Sequence, residues 1–130
     1  MSDTTKNRSA QGQLVLVEDD EAVRGILTVL LESAGWEVLT AADGPSGLQL
    51  ARRTIPDVVV TDLRMPGLSG IQLAKELAAT PSLPHVPIVA ITSDSSSLRD
   101  AAVKSRRFVT VLSKPLVPME FLEAVLQAIR

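Results

Sequence analysis

Two hydrophobic periods alternate along the chain. Short continuous apolar runs predict strands buried on both faces; clearest are Leu14-Val15-Leu16-Val17 and Val58-Val59-Val60. After the first run, apolar residues recur at Val23, Ile26, Leu27, Leu30, Leu31 and Ala34. That is the spacing of an amphipathic helix, and Gly35 stops it. Residues 36–40 predict a second strand, Ala42-Asp43-Gly44-Pro45 a turn, and 46–53 a shorter helix. The third strand covers 57–62. Ser69 or Gly70 opens a helix with Leu73, Ala74 and Leu77 on one face, which ends at Thr80-Pro81 because proline disfavours α geometry before it. Pro84 and Pro87 bracket a loop, and 86–92 is the fourth strand. Asp94 or Ser95 is placed to cap a helix over 96–106 whose apolar face is thin: Leu98, Ala101 and Ala102. Strand five is expected at 108–112, ended by Lys114-Pro115. A last helix starts at Pro118 and turns Phe121, Leu122, Val125 and Ile129 inward.

Residues 1–12 are polar and aperiodic, which predicts a disordered arm ahead of one folded domain over 13–130. Five strands alternating with five helices require a parallel sheet with right-handed crossovers. At this length the expected fold is α/β, a doubly wound five-stranded parallel sheet of flavodoxin-like (βα)5 type. Its strand order is 2-1-3-4-5, with a crevice at the carboxyl ends of strands one and three.

Composition narrows the function classes. A net charge of −2 gives no electrostatic reason to expect direct nucleic acid binding. The absence of cysteine excludes disulfides, thiolate catalysis and zinc–cysteine sites. No apolar run approaches the roughly 18 residues of a membrane span, and there is no basic-then-apolar signal segment. A cytoplasmic protein is the default expectation.

The polar residues fall at strand ends. Glu18, Asp19 and Asp20 end strand one, Asp62 strand three, Thr92 strand four and Lys114 strand five. Strand two, at the outer edge, carries no such group. Crowded carboxylates repel unless a cation sits among them, and oxygen ligands without His or Cys favour Mg²⁺. A carboxylate, a divalent ion, a lysine and a threonine together make a phosphoryl-transfer site, with Asp62 as nucleophile. The duller readings stand beside this. Asp20 directly precedes a helix and reads as its N-cap. Met65 reads as an apolar plug beside the turn, and His85 as a solvent-exposed loop residue. Lys104, Arg106 and Arg107 suit the macrodipole of a helix C-terminus, with partner docking the alternative.

Taken together, LVLVEDD (14–20), VVVTDLRMPGLSG (58–70), PIVAITS (87–93) and LSKP (112–115) resemble the signatures of response-regulator receiver domains of two-component signalling. The resemblance implies that Asp62 is the phospho-acceptor, Thr92 the switch hydroxyl and Lys114 the family's lysine. It implies Mg²⁺ as cofactor, held by Asp19, Asp62 and the backbone carbonyl of Arg64, with Glu18 acting through water. It implies a cis Lys114-Pro115 bond, and a signalling module that catalyses only its own phosphorylation and dephosphorylation. The partners implied are a sensor histidine kinase or phosphotransfer protein. A downstream output domain or protein would read the face of the fourth helix, fifth strand and fifth helix. Association into a homodimer stays open.

Two positions depart from the family pattern. Val111 stands where an aromatic residue usually swings with the threonine, and Arg107-Phe108 replaces the small pair that usually leads into strand five. Both put the usual aromatic readout in question. No DNA-binding or enzymatic output segment lies within the 130 residues, as expected of a stand-alone receiver or of one cut from a longer protein. Two rival classes stay open: a pseudo-receiver that only binds partners, and a phosphatase of the haloacid-dehalogenase type. The latter carries its nucleophile in a D-x-D motif on strand one, where this chain has EDD.

Overall fold

The computed structural model describes residues 11–83, 85–93 and 97–130. In chain order the elements are β1 (Gly12–Val17), α1 (Glu21–Ser33), β2 (Trp36–Ala41), α2 (Gly44–Thr54) and β3 (Val58–Asp62). They continue as α3 (Gly70–Ala78), β4 (Ile88–Thr92), α4 (Ser97–Ser105), β5 (Thr110–Ser113) and α5 (Pro118–Ala128). All strand pairs are parallel and the order is β2-β1-β3-β4-β5. The predicted fold class and strand order are therefore those observed. The caps expected at Asp94 or Ser95, Pro84, and most of the N-terminal arm lie outside the described residues. Gly12, read as part of that arm, is the first residue of β1, and the Gln11 N–H bonds the Gly35 carbonyl at 3.1 Å.

Alternation along the strands divides the core between the two faces of the sheet. Leu14, Leu16, Val58, Val60, Val89 and Ile91 pack with Leu27 and Leu31 of α1 and with Phe121 and Val125 of α5. Val15, Val17, Val59 and Ile88 turn the other way, onto Ala51 of α2 and Leu73, Ala74 and Leu77 of α3. A smaller cluster of Leu63, Ala90 and Ala102 lies under α4. Helices on both faces explain why β3 and β4 read as unbroken apolar runs.

Three side chains expected inside are not. Ile26 is 62% exposed and Ile129 is 37% exposed, while Ala101 of α4 faces solvent. Each helix faces the sheet with one side only, so residues at the margin of its apolar stripe stay wet. Ile26 lies beside Val23, Leu30, Pro115, Leu116 and Pro118 in an apolar groove that reaches Lys114. Strand five begins at Thr110, two residues later than the pattern predicted, because exposed Val109 sits outside the ladder and only its N–H reaches the Ile88 carbonyl, at 2.8 Å.

Candidate functional site

Strand register aligns the acids. Leu14 pairs with Val58 and Leu16 with Val60, so one repeat further along the same face Glu18 comes level with Asp62. The turn after β1 carries the next acid, Asp19. The nearest carboxylate oxygens of Glu18, Asp19 and Asp62 lie within 4.8 Å of one another. Glu18 is fully buried and Asp62 nearly so, whereas Asp19 is exposed.

Lys114 reaches this cluster from two strands away. Adjacent strands are about 4.8 Å apart, so the gap from β5 to β3 is roughly 10 Å, within reach only of a long side chain. The Lys114 ammonium donates to Asp62 Oδ2 at 2.7 Å and to Glu18 Oε1 at 2.9 Å. Burial pushes the Glu18 carboxyl above its ordinary range, and the contacts from Lys114 and the Asp20 N–H offset this only in part. Burial alone would lower the Lys114 pKa, but its bonds to Asp62 and Glu18 outweigh that and raise it. The amine therefore stays charged between two carboxylates. The Lys114-Pro115 peptide is cis, as the resemblance implied.

Backbone groups hold the acids in place. The Asp20 N–H donates to Glu18 Oε2 at 3.1 Å, and the Arg64 N–H donates to Asp62 Oδ1 at 3.2 Å. The Asp20 side chain accepts from the Val23 N–H at 3.0 Å, so Asp20 is the N-cap of α1. The Arg64 side chain is exposed. Thr92 is buried at the end of β4, the strand next to Asp62, and its carbonyl accepts from the Lys114 N–H at 2.8 Å. Five of the sequence-predicted residues, Glu18, Asp19, Asp62, Thr92 and Lys114, thus share one rim, and Arg64 borders it through its backbone.

Three further residues support the site: Arg24 was not singled out in the sequence, and Gly44 and Gly70 were read there only as turn and helix-start residues. Arg24 of α1 turns back and donates to the Glu18 carbonyl at 2.9 Å, which ties the acidic loop to its helix. Gly70 lets α3 start directly against β3: a Cβ there would land on the Asp62 carbonyl oxygen, and its N–H bonds the Leu63 carbonyl at 2.8 Å. A Cβ at Gly44 would likewise strike Leu68, in the loop that follows Asp62. The glycines are visible in the sequence, but their crowding depends on elements that meet only in three dimensions.

The donor set suits a hard divalent cation, because three carboxylates converge with no His or Cys among them. Phe108 stands apart from this site. It lies ahead of β5, at the opposite end of the sheet from Lys114, and packs between the α3 and α4 sides of the core. Val111 is half-buried against the small cluster under α4.

Comparison with known proteins agrees with the geometry. The response regulator receiver domain family matches residues 14–126. The polar-differentiation response regulator DivK of Brucella anthropi is 28% identical over 112 residues, which cover 86% of this chain and 91% of that protein. Among solved structures, the Vibrio cholerae chemotaxis protein CheY4 superposes with a TM-score of 0.83 at 28% identity, covering 92% of this chain and 99% of that one. The receiver domain of a Pseudomonas aeruginosa sensor histidine kinase gives 0.85 at 27% identity over 92% of this chain and 98% of that one, and its structure has a magnesium ion coordinated in the active site cleft.

Proposed function

The chain belongs to the response regulator receiver domain family, and on that premise we propose that Asp62 accepts a phosphoryl group from a phosphohistidine. Receiver domains are signalling modules of two-component systems that interact with histidine kinases or phosphotransfer proteins and with downstream effectors. A phosphohistidine on such a partner is the donor in this reading. We take residues 13–130 as the receiver unit and the cytoplasm as its location.

The observation that carries the reading is the Lys114 ammonium held between Asp62 and Glu18. A carboxylate oxygen of Asp62 attacks phosphorus, the phosphorus–nitrogen bond of the donor breaks, and its electron pair returns to the imidazole. The product is an acyl phosphate, which water later cleaves at the phosphorus–oxygen bond to restore the carboxylate. Lys114 lies within reach of charge that accumulates on the transferring oxygens. Asp19, Asp62 and the Arg64 carbonyl would hold Mg²⁺, with Glu18 acting through water. Bound there, the ion supplies charge neutralisation for the phosphoryl oxygens. The Thr92 hydroxyl and Lys114 then bind the new phosphoryl group, and the face formed by α4, β5 and α5 shifts its population of states. The apolar groove along Ile26 and Pro115 adjoins Lys114 and offers the donor protein a seat beside the reacting atoms.

Incubation with acetyl phosphate and Mg²⁺, followed by intact mass measurement, tests this. The expected result is a gain of one phosphoryl group that is absent in Asp62→Asn. No adduct under any condition would establish a binding-only module, and multiple turnover on small phosphate esters would establish a phosphatase.

A further inference from the structure

The amino-terminal edge of the sheet carries a cleft that phosphotransfer leaves unused. It measures about 500 Å³, within the range of small-molecule sites. Leu83, Ile88 and Phe108 give it apolar walls, and His85, Arg106 and Arg107 give it a basic lining. Among the described residues no lining residue is Asp or Glu, although the chain has 15 acidic residues against 13 Lys and Arg. Among the described residues neither guanidinium has a carboxylate partner. The segment that brings them here is unusual. Arg106 takes φ 58 immediately after α4, a left-handed position that helices normally fill with glycine. Arg107-Phe108 then follows, in the segment that leads into β5. Three successive side chains thus line one cleft with two cations and an aromatic ring.

We propose that this cleft binds a small organic phosphate of the nucleoside monophosphate type. The flat body lies against Phe108 and the aliphatic walls, where a ring has a stacking partner. The phosphate is taken by Arg106 and Arg107, whose planar guanidinium groups match its oxygens in pairs, and exposed His85 adds a third donor. The site is separate from Asp62. Ile88, in the cleft, and Thr92, at the acidic rim, are the two ends of β4, roughly 13 Å apart at strand spacing. The proposal does not depend on Asp62 being phosphorylated.

Titration of the whole 130-residue chain with AMP, followed by amide chemical shifts in NMR, tests it. Saturable shifts are expected at 85, 86, 88 and 106–109, and they persist in Asp62→Asn. Adenosine alone and inorganic phosphate alone are each expected to bind at least about ten-fold more weakly, since each lacks half of the contacts. The double variant Arg106→Ala/Arg107→Ala is expected to weaken AMP by at least about ten-fold while still forming the acetyl phosphate adduct as the parent chain does. Absence of saturable shifts, shifts confined to residues around Asp62, or equal AMP affinity in the double variant would each overturn the proposal. Inorganic phosphate binding as tightly as AMP would do so too, since the apolar walls would then contribute nothing.

Discussion

Strands β3 and β5 belong to the same sheet, two places apart, yet they are built differently. Every residue of β3 is buried, and none of β5 is. The helix after β3 opens on a complete capping box, in which Ser69 Oγ accepts from the Gln72 N–H at 3.1 Å and Gln72 Oε1 from the Ser69 N–H at 3.0 Å. The helix before β5 buries only Ala102. Exposed Val103, Val109, Val117 and Met119 lie along this side, and an Arg99–Ser113 hydrogen bond of 2.7 Å ties α4 to β5. The carboxylate proposed to react thus stands on a rigid support, and the lysine that answers it stands on a looser one. A group that bonds both would draw the loose side toward the rigid one, which is what a switch requires.

The largest effect should come from the rigid strand's chemistry. Asp62→Asn removes the acceptor altogether, so the mass adduct disappears while the unfolding midpoint shows a folded protein. Paired core truncations test the packing contrast itself. Leu16→Ala on β1, beside β3 and fully buried, should cost about 2–5 kcal/mol in urea unfolding. Leu112→Ala on half-buried β5 should cost about 1 kcal/mol. Equal losses would remove the contrast, and amide hydrogen exchange should rank β5 and α4 as the faster elements. Ser69→Ala deletes half of the capping box and should cost about 1 kcal/mol, read as a lower urea midpoint.

The smallest effect is a pH dependence at α2, whose N-cap is Asp43. The Ser46 N–H donates to Asp43 at 2.7 Å and holds its carboxyl below the ordinary value of 3.8. The folded value lies below the unfolded one. The contribution of the cap is therefore complete above 3.8 and is lost as pH falls through the lower folded value. The stability gap between the parent chain and Asp43→Ala should be constant near neutrality and close on strong acidification, as followed by thermal unfolding at a series of pH values.

Much of the site was legible because its residues sit at strand ends, and strand ends are marked by apolar runs meeting turn chemistry. Asp62 after three valines, Thr92 after IVAI and Lys114 before Pro115 all announce themselves this way. Ile26 and Ile129 were read as inward because periodicity reports which stripe of a helix is apolar, not how much of that stripe its neighbours cover. Arg24 escaped notice for a related reason: a charged residue on an amphipathic helix ordinarily faces water, and only the tight β1–α1 turn lets its guanidinium fold back onto the Glu18 carbonyl.

By itself the sequence determined the order of strands and helices, their parallel arrangement, the family, and the oxygen-rich and cationic groups available for chemistry. These follow from local periodicity and from motifs carried within single segments. Only the tertiary structure decided that one amine bridges Glu18 and Asp62, residues 96 and 52 positions away from it. It alone brought His85 to Arg106 and Arg107 across the start of β4. Both arrangements depend on strand register and on how far each helix covers the sheet, quantities summed over the whole chain and written in no single stretch of it.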